Sequence, residues 1–159
     1  MASALHSVFK IASFRENQNE IVAHTMRGED AFVLMRTGGG KSLTYQLPAY
    51  LERGVGKVTV VISPLVSLIE DQVSAMNSFC KGSAACLTAS VKGSDLKRFW
   101  ERLRDRTSGL CLVFVTPERV GNPKFNTTVL EAFRQLDSEG RLGRVSLLSA
   151  SEGFCGDMQ

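Results

Sequence analysis

The residues best suited to chemistry stand together at Thr37-Gly38-Gly39-Gly40-Lys41-Ser42. Three consecutive glycines let the N–H groups of Gly38, Gly39 and Gly40 converge on an anion with no side chain in the way. A helix beginning at Lys41, with Leu43 and Leu47 on one face, would add the positive end of its dipole. In that setting Lys41 reaches the β- and γ-phosphates of a nucleotide and the Ser42 hydroxyl coordinates Mg²⁺. The loop therefore predicts binding of ATP or a close relative. It departs from the strict phosphate-loop pattern in one place, because Met35 stands where a leading glycine is usual. A glycine hairpin beside a surface lysine is the competing explanation, and it does not require a strand before the loop and a helix after it.

Such a loop needs elements to hold it. Continuous apolar runs at residues 31–35, 57–62, 84–87, 110–115 and 145–148 read as strands buried on both faces. Helical spacing joins Val66, Ile69, Val73 and Met76, and again Leu96, Phe99, Trp100 and Leu103, where Ser94 is the expected N-cap. Residues 18–26 read as a helix that Gly28 would close. The pattern is an α/β domain, a mostly parallel sheet with helices on both faces. Residues 1–148 form that domain; residues 149–159 are small and polar, without an apolar period, and are expected to be a divergent, frayed tail.

Bulk properties agree. The 159 residues suit one domain, and 43% hydrophobic with 22% charged residues is an ordinary globular balance. Cys80, Cys86, Cys111 and Cys155 form no Cys-x-x-Cys pair and have no nearby histidines, so zinc is unsupported. No run approaches the roughly 18 apolar residues of a membrane span, and a reducing compartment is expected. A net charge of +3 suits a polyanion partner without proving one. The charges of residues 95–106 alternate in sign and read as a solvated helix face rather than a nucleic-acid patch.

Four segments together resemble the RecQ family of ATP-dependent DNA helicases, specifically the first of its two RecA-like motor domains, a P-loop NTPase fold. Phe14-Arg15-Glu16-Asn17-Gln18 is similar to the family's adenine-recognition element, which assigns Arg15 and Gln18 to the nucleotide. Residues 34–42, followed by Tyr45-Gln46-Leu47-Pro48-Ala49, resemble its signature stretch, with Arg36 where proline is usual. Residues 62–73 resemble a motif that contacts the DNA backbone, which implies roles for Ser63, Pro64, Leu65 and Ser67. Thr116-Pro117-Glu118 resembles another DNA-contacting element.

The resemblance also marks a departure. After the last strand the family has Asp-Glu-Ala-His, whose Asp holds Mg²⁺ and whose Glu activates water. Here Ser151-Glu152-Gly153-Phe154 occupies that register. Glu152 keeps the general-base position, while Ser151 offers the metal a neutral hydroxyl in place of a carboxylate. The resemblance implies ATP and Mg²⁺ as cofactors, single-stranded or tailed duplex DNA as partner, no membrane association, and a nuclear location, or a cytoplasmic one in a bacterium. The resemblance further implies a second RecA-like domain, which is expected to be missing from this chain. The expectation is therefore the ATP- and DNA-binding lobe of a 3′–5′ helicase that does not unwind DNA by itself. A non-catalytic nucleotide- or DNA-binding module acting on an intact helicase, and a P-loop kinase, are the alternatives. Residues 63–73 and Gln18 disfavour the kinase.

Overall fold

The computed structural model describes residues 2–36 and 38–148, except for the side chains of residues 2 and 123–126. In chain order the elements are α1 (Ala2–Ser7), α2 (Gln18–Met26), α3 (Lys41–Glu52), β1 (Val58–Ile62), α4 (Val66–Phe79), β2 (Ala84–Leu87), α5 (Gly93–Arg104), β3 (Leu112–Val115), α6 (Pro117–Gly121), α7 (Pro123–Ser138) and β4 (Leu142–Leu147). The four strands make one sheet in the order β2-β3-β1-β4, and every pair is parallel.

Alternation along the strands divides the core in two. Val61, Leu112 and Phe114 point to one face, with Leu5, Val22, Leu43, Leu47, Ile69 and Met76 of α1–α4. Val58, Val60, Val113 and Val115 point to the other, against Phe99 and Leu103 of α5 and Val129 and Leu136 of α7. β1 and β3 are therefore covered on both sides, and each large side chain buried there contributes about 1.5–3 kcal/mol. The helices cover both faces, as the apolar runs imply.

Two expectations need correction. Residues 31–35 belong to no strand; Phe32 is 90% and Leu34 83% exposed. An apolar run becomes a strand only where a neighbour receives its peptide groups. This run is tethered at its ends instead, by His24 Nε2 on the Asp30 carbonyl at 3.0 Å and by Lys41 Nζ on the Met35 carbonyl at 2.9 Å. Nor is Ser94 an N-cap. Lys92 takes that position with extended backbone and no side-chain bond, its carbonyl accepting the Asp95 and Leu96 amides at 3.2 and 3.4 Å.

The last strand carries a bulge. Val58 pairs with Leu142 but Val60 pairs with Val145, so β4 has one extra residue at Gly143-Arg144. The bulge sends Arg144 toward α2 and α3, where it donates to the Thr25 carbonyl at 2.8 Å and meets Glu52 in an ion pair. That pair lies 14–15% exposed and pins β4 to the helix layer. Among the described residues no helix is long and apolar enough to cross a membrane.

Candidate phosphate-binding site

The glycine loop is shaped by contacts with the segment ahead of α2. Gln18, only 2% exposed, accepts from the Arg15 amide through Oε1 at 2.7 Å and donates through Nε2 to the Gly40 carbonyl at 3.0 Å. The Arg15 guanidinium donates to the Gly38 carbonyl. Two loop carbonyls are thus drawn toward residues 15–18. Gly38 and Gly40 have φ of 74° and 87°, the left-handed region where a side chain is strained. At Gly40 a Cβ would also overlap the Gln18 amide, and at Gly39 it would come within 2.9 Å of the Arg36 carbonyl.

Gly40 is the N-cap of α3 and offers no side-chain acceptor to the first turn. The Gly40, Lys41 and Ser42 amides find no acceptor among the described residues. Free amides, a helix N-terminus and an adjacent ammonium suit a phosphate. The cradle that a Cβ would fill and this donor set both fit a nucleotide's phosphates. Lys41 is half-buried and its ammonium rests on the Met35 carbonyl. Ser42 is half-buried at the start of α3. The Tyr45 hydroxyl is held above its ordinary pKa by burial, against a hydrogen bond with Ser42 that lowers it. Among the described residues no cluster of His, Cys, Asp and Glu could hold a metal ion. Thr37 and Glu152, with Ser151 and Phe154, lie outside the described residues.

The loop is tied to the second set of predicted residues through α3. Tyr45 Oη and Gln46 Nε2 both donate to Gln72 Oε1 of α4, at 3.1 and 2.9 Å. α4 follows directly on Ser63-Pro64-Leu65. Strand register explains how that segment meets the other one. Leu87, Val115, Ile62 and Leu147 stand in one row across the sheet. The next residues, Thr88, Thr116, Ser63 and Leu148, therefore line its carboxyl edge, where open α/β sheets take their ligands. Ser63 and Thr116 are 1% and 3% exposed, and the Ser63 hydroxyl has no hydrogen-bond partner among the described residues. Pro64, Leu65, Ser67, Pro117 and Glu118 are exposed.

Two features of this edge went unread in the sequence. Thr88 ends β2 in the same row, its hydroxyl 2.8 Å from that of Ser90. Arg119, 6% exposed, donates to the Val91 carbonyl at 2.9 Å and joins α6 to the loop after β2. Thr88 carries a usable signal as the hydroxyl residue that closes a strand; a buried arginine after Pro117-Glu118 carries none.

Comparison with known proteins decides the family. Residues 15–148 match the DEAD/DEAH box helicase family. The chain belongs to it. Among curated relatives of this helicase domain, the "ATP-dependent DNA helicase Q-like 4B" of Arabidopsis thaliana is 46% identical over 138 residues. That match covers 86% of this chain and 11% of the relative. The "ATP-dependent DNA helicase Q-like 2" of the same plant is 39% identical over 150 residues, covering 94% of this chain and 20% of the relative. The "ATP-dependent DNA helicase Q1" of Rattus norvegicus is 41% identical over 151 residues, covering 95% and 23%. The helicase domain thus spans only a minor part of the relatives it matches. A solved structure, described as a hypothetical ATP-dependent RNA helicase from Sulfolobus tokodaii, aligns with a TM-score of 0.57 at 16% identity, covering 95% of this chain and 51% of the other. The fold is RecA-like.

Proposed function

We propose that the chain is the ATP- and DNA-binding N-terminal motor lobe of a RecQ-like ATP-dependent 3′–5′ DNA helicase, located in the nucleus, and that it does not separate strands by itself. The observation that carries this reading is the bonded path from Gln18 and Arg15 through the glycine loop and α3 to Gln72 of α4. It couples a phosphate cradle to the sheet edge where Ser63 and Thr116 stand.

Lys41 would neutralise the β- and γ-phosphates, the amides of residues 38–42 would orient them, and Ser42 would hold Mg²⁺. The bound ion would supply charge neutralisation and a bridge between phosphate oxygens. Gln18 and Arg15 would set the loop and face the base. Ser67, at the exposed N-terminus of α4, would hold a phosphate of the DNA backbone, and Thr116 with Pro117 and Glu118 the next contact along the strand.

Calorimetry of Mg-ATP binding to the parent and Lys41→Ala proteins tests the site: affinity is expected to fall at least about tenfold, from the loss of a charge-assisted contact. Equal affinities would remove the phosphate-loop assignment. DNA binding is expected to be weak, with about three phosphate contacts and a log–log salt slope near −2 on single strands. Hydrolysis by the isolated chain is expected to lie at least about a thousandfold below that of an intact motor, for want of an arginine supplied across the cleft. DNA-stimulated turnover separates a motor lobe from a non-catalytic module. ATP-dependent separation of a tailed duplex by the 159-residue protein, absent in Lys41→Ala, would overturn the claim that it cannot unwind alone.

A further inference from the structure

An open pocket of about 430 Å³ lies between the end of α3 and the loop that leads into β3. Tyr50, Leu51, Arg53 and Gly54 form one wall, and Arg106, Thr107 and Gly109 the other. Residues 53–56 run into the start of β1 and residues 105–109 into the start of β3, so the pocket stands at the amino edge of the sheet. α3 begins at the glycine loop and ends at this pocket, and its 12 residues span about 18 Å. The pocket is therefore separate from the phosphate cradle and from the edge where Ser63 and Thr116 stand.

Its walls offer donors and no carboxylate. Arg53 Nε donates to the Gly109 carbonyl at 2.9 Å, which holds the guanidinium against that glycine. A Cβ at position 109 would stand 3.2 Å from Arg53 Cζ and closer still to Nη2, and the backbone there has φ of 72°. The placed guanidinium thus requires glycine at 109. Both Nη groups of Arg53 and the Tyr50 hydroxyl are without a hydrogen bond among the described residues. The Tyr50 ring is fixed edge-on to Phe9 at 5.9 Å. Across the pocket Arg106 is 62% exposed and gives a single Nη to Glu139, at 3.4 Å.

The neighbouring carboxylates are engaged elsewhere. Asp105 accepts the Thr107 amide and hydroxyl at 2.8 and 2.7 Å, and Glu52 pairs with Lys57 and Arg144. Two guanidinium groups and a phenol around one open space are a donor set that phosphate oxygens satisfy, because each guanidinium forks onto two of them. The space exceeds what one phosphate fills, and Tyr50 and Leu51 add an apolar flank for a sugar or a base.

We infer that this pocket is a second phosphate site, taking the phosphate of a nucleotide or of a nucleic-acid strand between Arg53 and Arg106, with Tyr50 beside it.

Amide NMR of the full 159-residue chain carrying Lys41→Ala tests it, because that change silences the glycine loop and the pocket lies at the far end of α3. The probes, at constant ionic strength, are inorganic phosphate, AMP and a single-stranded oligodeoxynucleotide without terminal phosphates. The Gly54, Thr107 and Gly109 amides are expected to shift and saturate with at least one of them. Adding Arg106→Gln, a change at an exposed side chain, should weaken that binding at least about tenfold, as loss of a charge-assisted contact does. Arg53→Gln should do the same; if it fails to fold, Arg106→Gln decides alone. Saturation by AMP or inorganic phosphate assigns the site to a free phosphate ligand, and saturation by the oligonucleotide alone assigns it to a strand backbone; either supports the pocket. Amides unmoved by all three probes overturn it. So do shifts that sodium chloride reproduces, an affinity that Arg106→Gln leaves unchanged, or tighter saturation by a glutamate-rich peptide than by any phosphate probe.

Discussion

β3 and β4 are both parallel strands in one sheet, yet every residue of β3 is buried and none of β4 is fully buried. β3 lies between β1 and β2, with α1–α4 over one face and α5 and α7 over the other. β4 has a neighbour on one side only, the β1 ladder, and its bulge adds the Arg144–Glu52 pair to that attachment. Composition separates them in part, since β4 carries Gly143, Arg144 and Ser146 where β3 is wholly apolar, and position does the rest. Apolar residues in β3 contribute through packing on both faces, while β4 adds to its ladder one charged side chain that reaches the helix layer. Mutations read that difference directly.

The largest effect is expected at Phe114, fully buried and edge-on to Tyr45 at 6.1 Å. Phe114→Ala should destabilise the domain by about 3–5 kcal/mol in urea unfolding, from lost transfer energy and the cavity left behind. A value near that of any β4 apolar truncation would erase the comparison. Next comes Arg144→Ala, which leaves Glu52 14% exposed without its pair and should cost about 2–3 kcal/mol. Arg144→Met, retaining the stem, should recover only part of it. If Arg144→Ala is silent, the β1 ladder alone holds β4 and the pair adds nothing.

These contrasts show what the sequence discloses. The cores of β1–β3 were legible because runs such as 57–62 and 110–115 are covered on both faces, and the helix at residues 18–26 was legible from its closing Gly28. Residues 31–35 have the same apolar character, but whether a neighbour receives their peptide groups is a property of the whole sheet. The period of α7, carried by Val129, Ala132, Phe133 and Leu136, is diluted by Glu131, Arg134, Gln135 and Asp137. At the candidate site the glycines were legible locally. The bonds that place Gln18 and Arg15 on Gly40 and Gly38 cross 22 and 23 residues; family resemblance assigned the two residues to the nucleotide, but nothing in the sequence pointed to their bonds with the loop. That Lys41 rests on Met35 depends on a carbonyl direction no pattern encodes.

A smaller effect is expected at Gly40, where the loop meets the packed interior. Gly40→Ala would hold a side chain at φ 87° and push on the Gln18 amide, costing about 1–2 kcal/mol. Gly28→Ala has open space around it and shares only the backbone strain. The difference between the two variants in thermal unfolding therefore isolates the Gln18 contact. Equal costs would mean that the contact yields without consequence.

Cys111, beside β3, reports burial through pH. Its thiol is pushed up to about 12 by burial, a shift Arg53 opposes and Cys80 reinforces. In the unfolded chain the thiol ionises near its ordinary value of 9.0. Above that pH the unfolded state binds fewer protons than the folded one, so stability falls as pH rises, by up to about 1.4 kcal/mol per unit. The contribution is fully present below pH 9 and is lost as pH approaches the folded value. Cys111→Ala removes the titrating group, and the difference in slope between the two proteins over pH 9–10 measures it. Parallel slopes would show that the thiol is solvated.

The smallest effect is expected at Leu147. Its side chain is 73% exposed, whereas Val113 in β3 is fully buried on the same α5 and α7 face. Leu147→Ser exchanges water-exposed apolar surface for a hydroxyl that water already satisfies, so in the absence of nucleotide stability should change by no more than about 0.5 kcal/mol. Val113→Ser removes buried methyl groups and strands a hydroxyl among Val58, Leu103 and Leu110 of the same apolar cluster, so its cost should exceed 2 kcal/mol by rough reckoning. Both changes are apolar-to-serine in strands of one sheet, and their ratio is governed by cover rather than by residue type. A Leu147→Ser cost approaching that of Val113→Ser would mean that the Leu147 side chain is buried in solution.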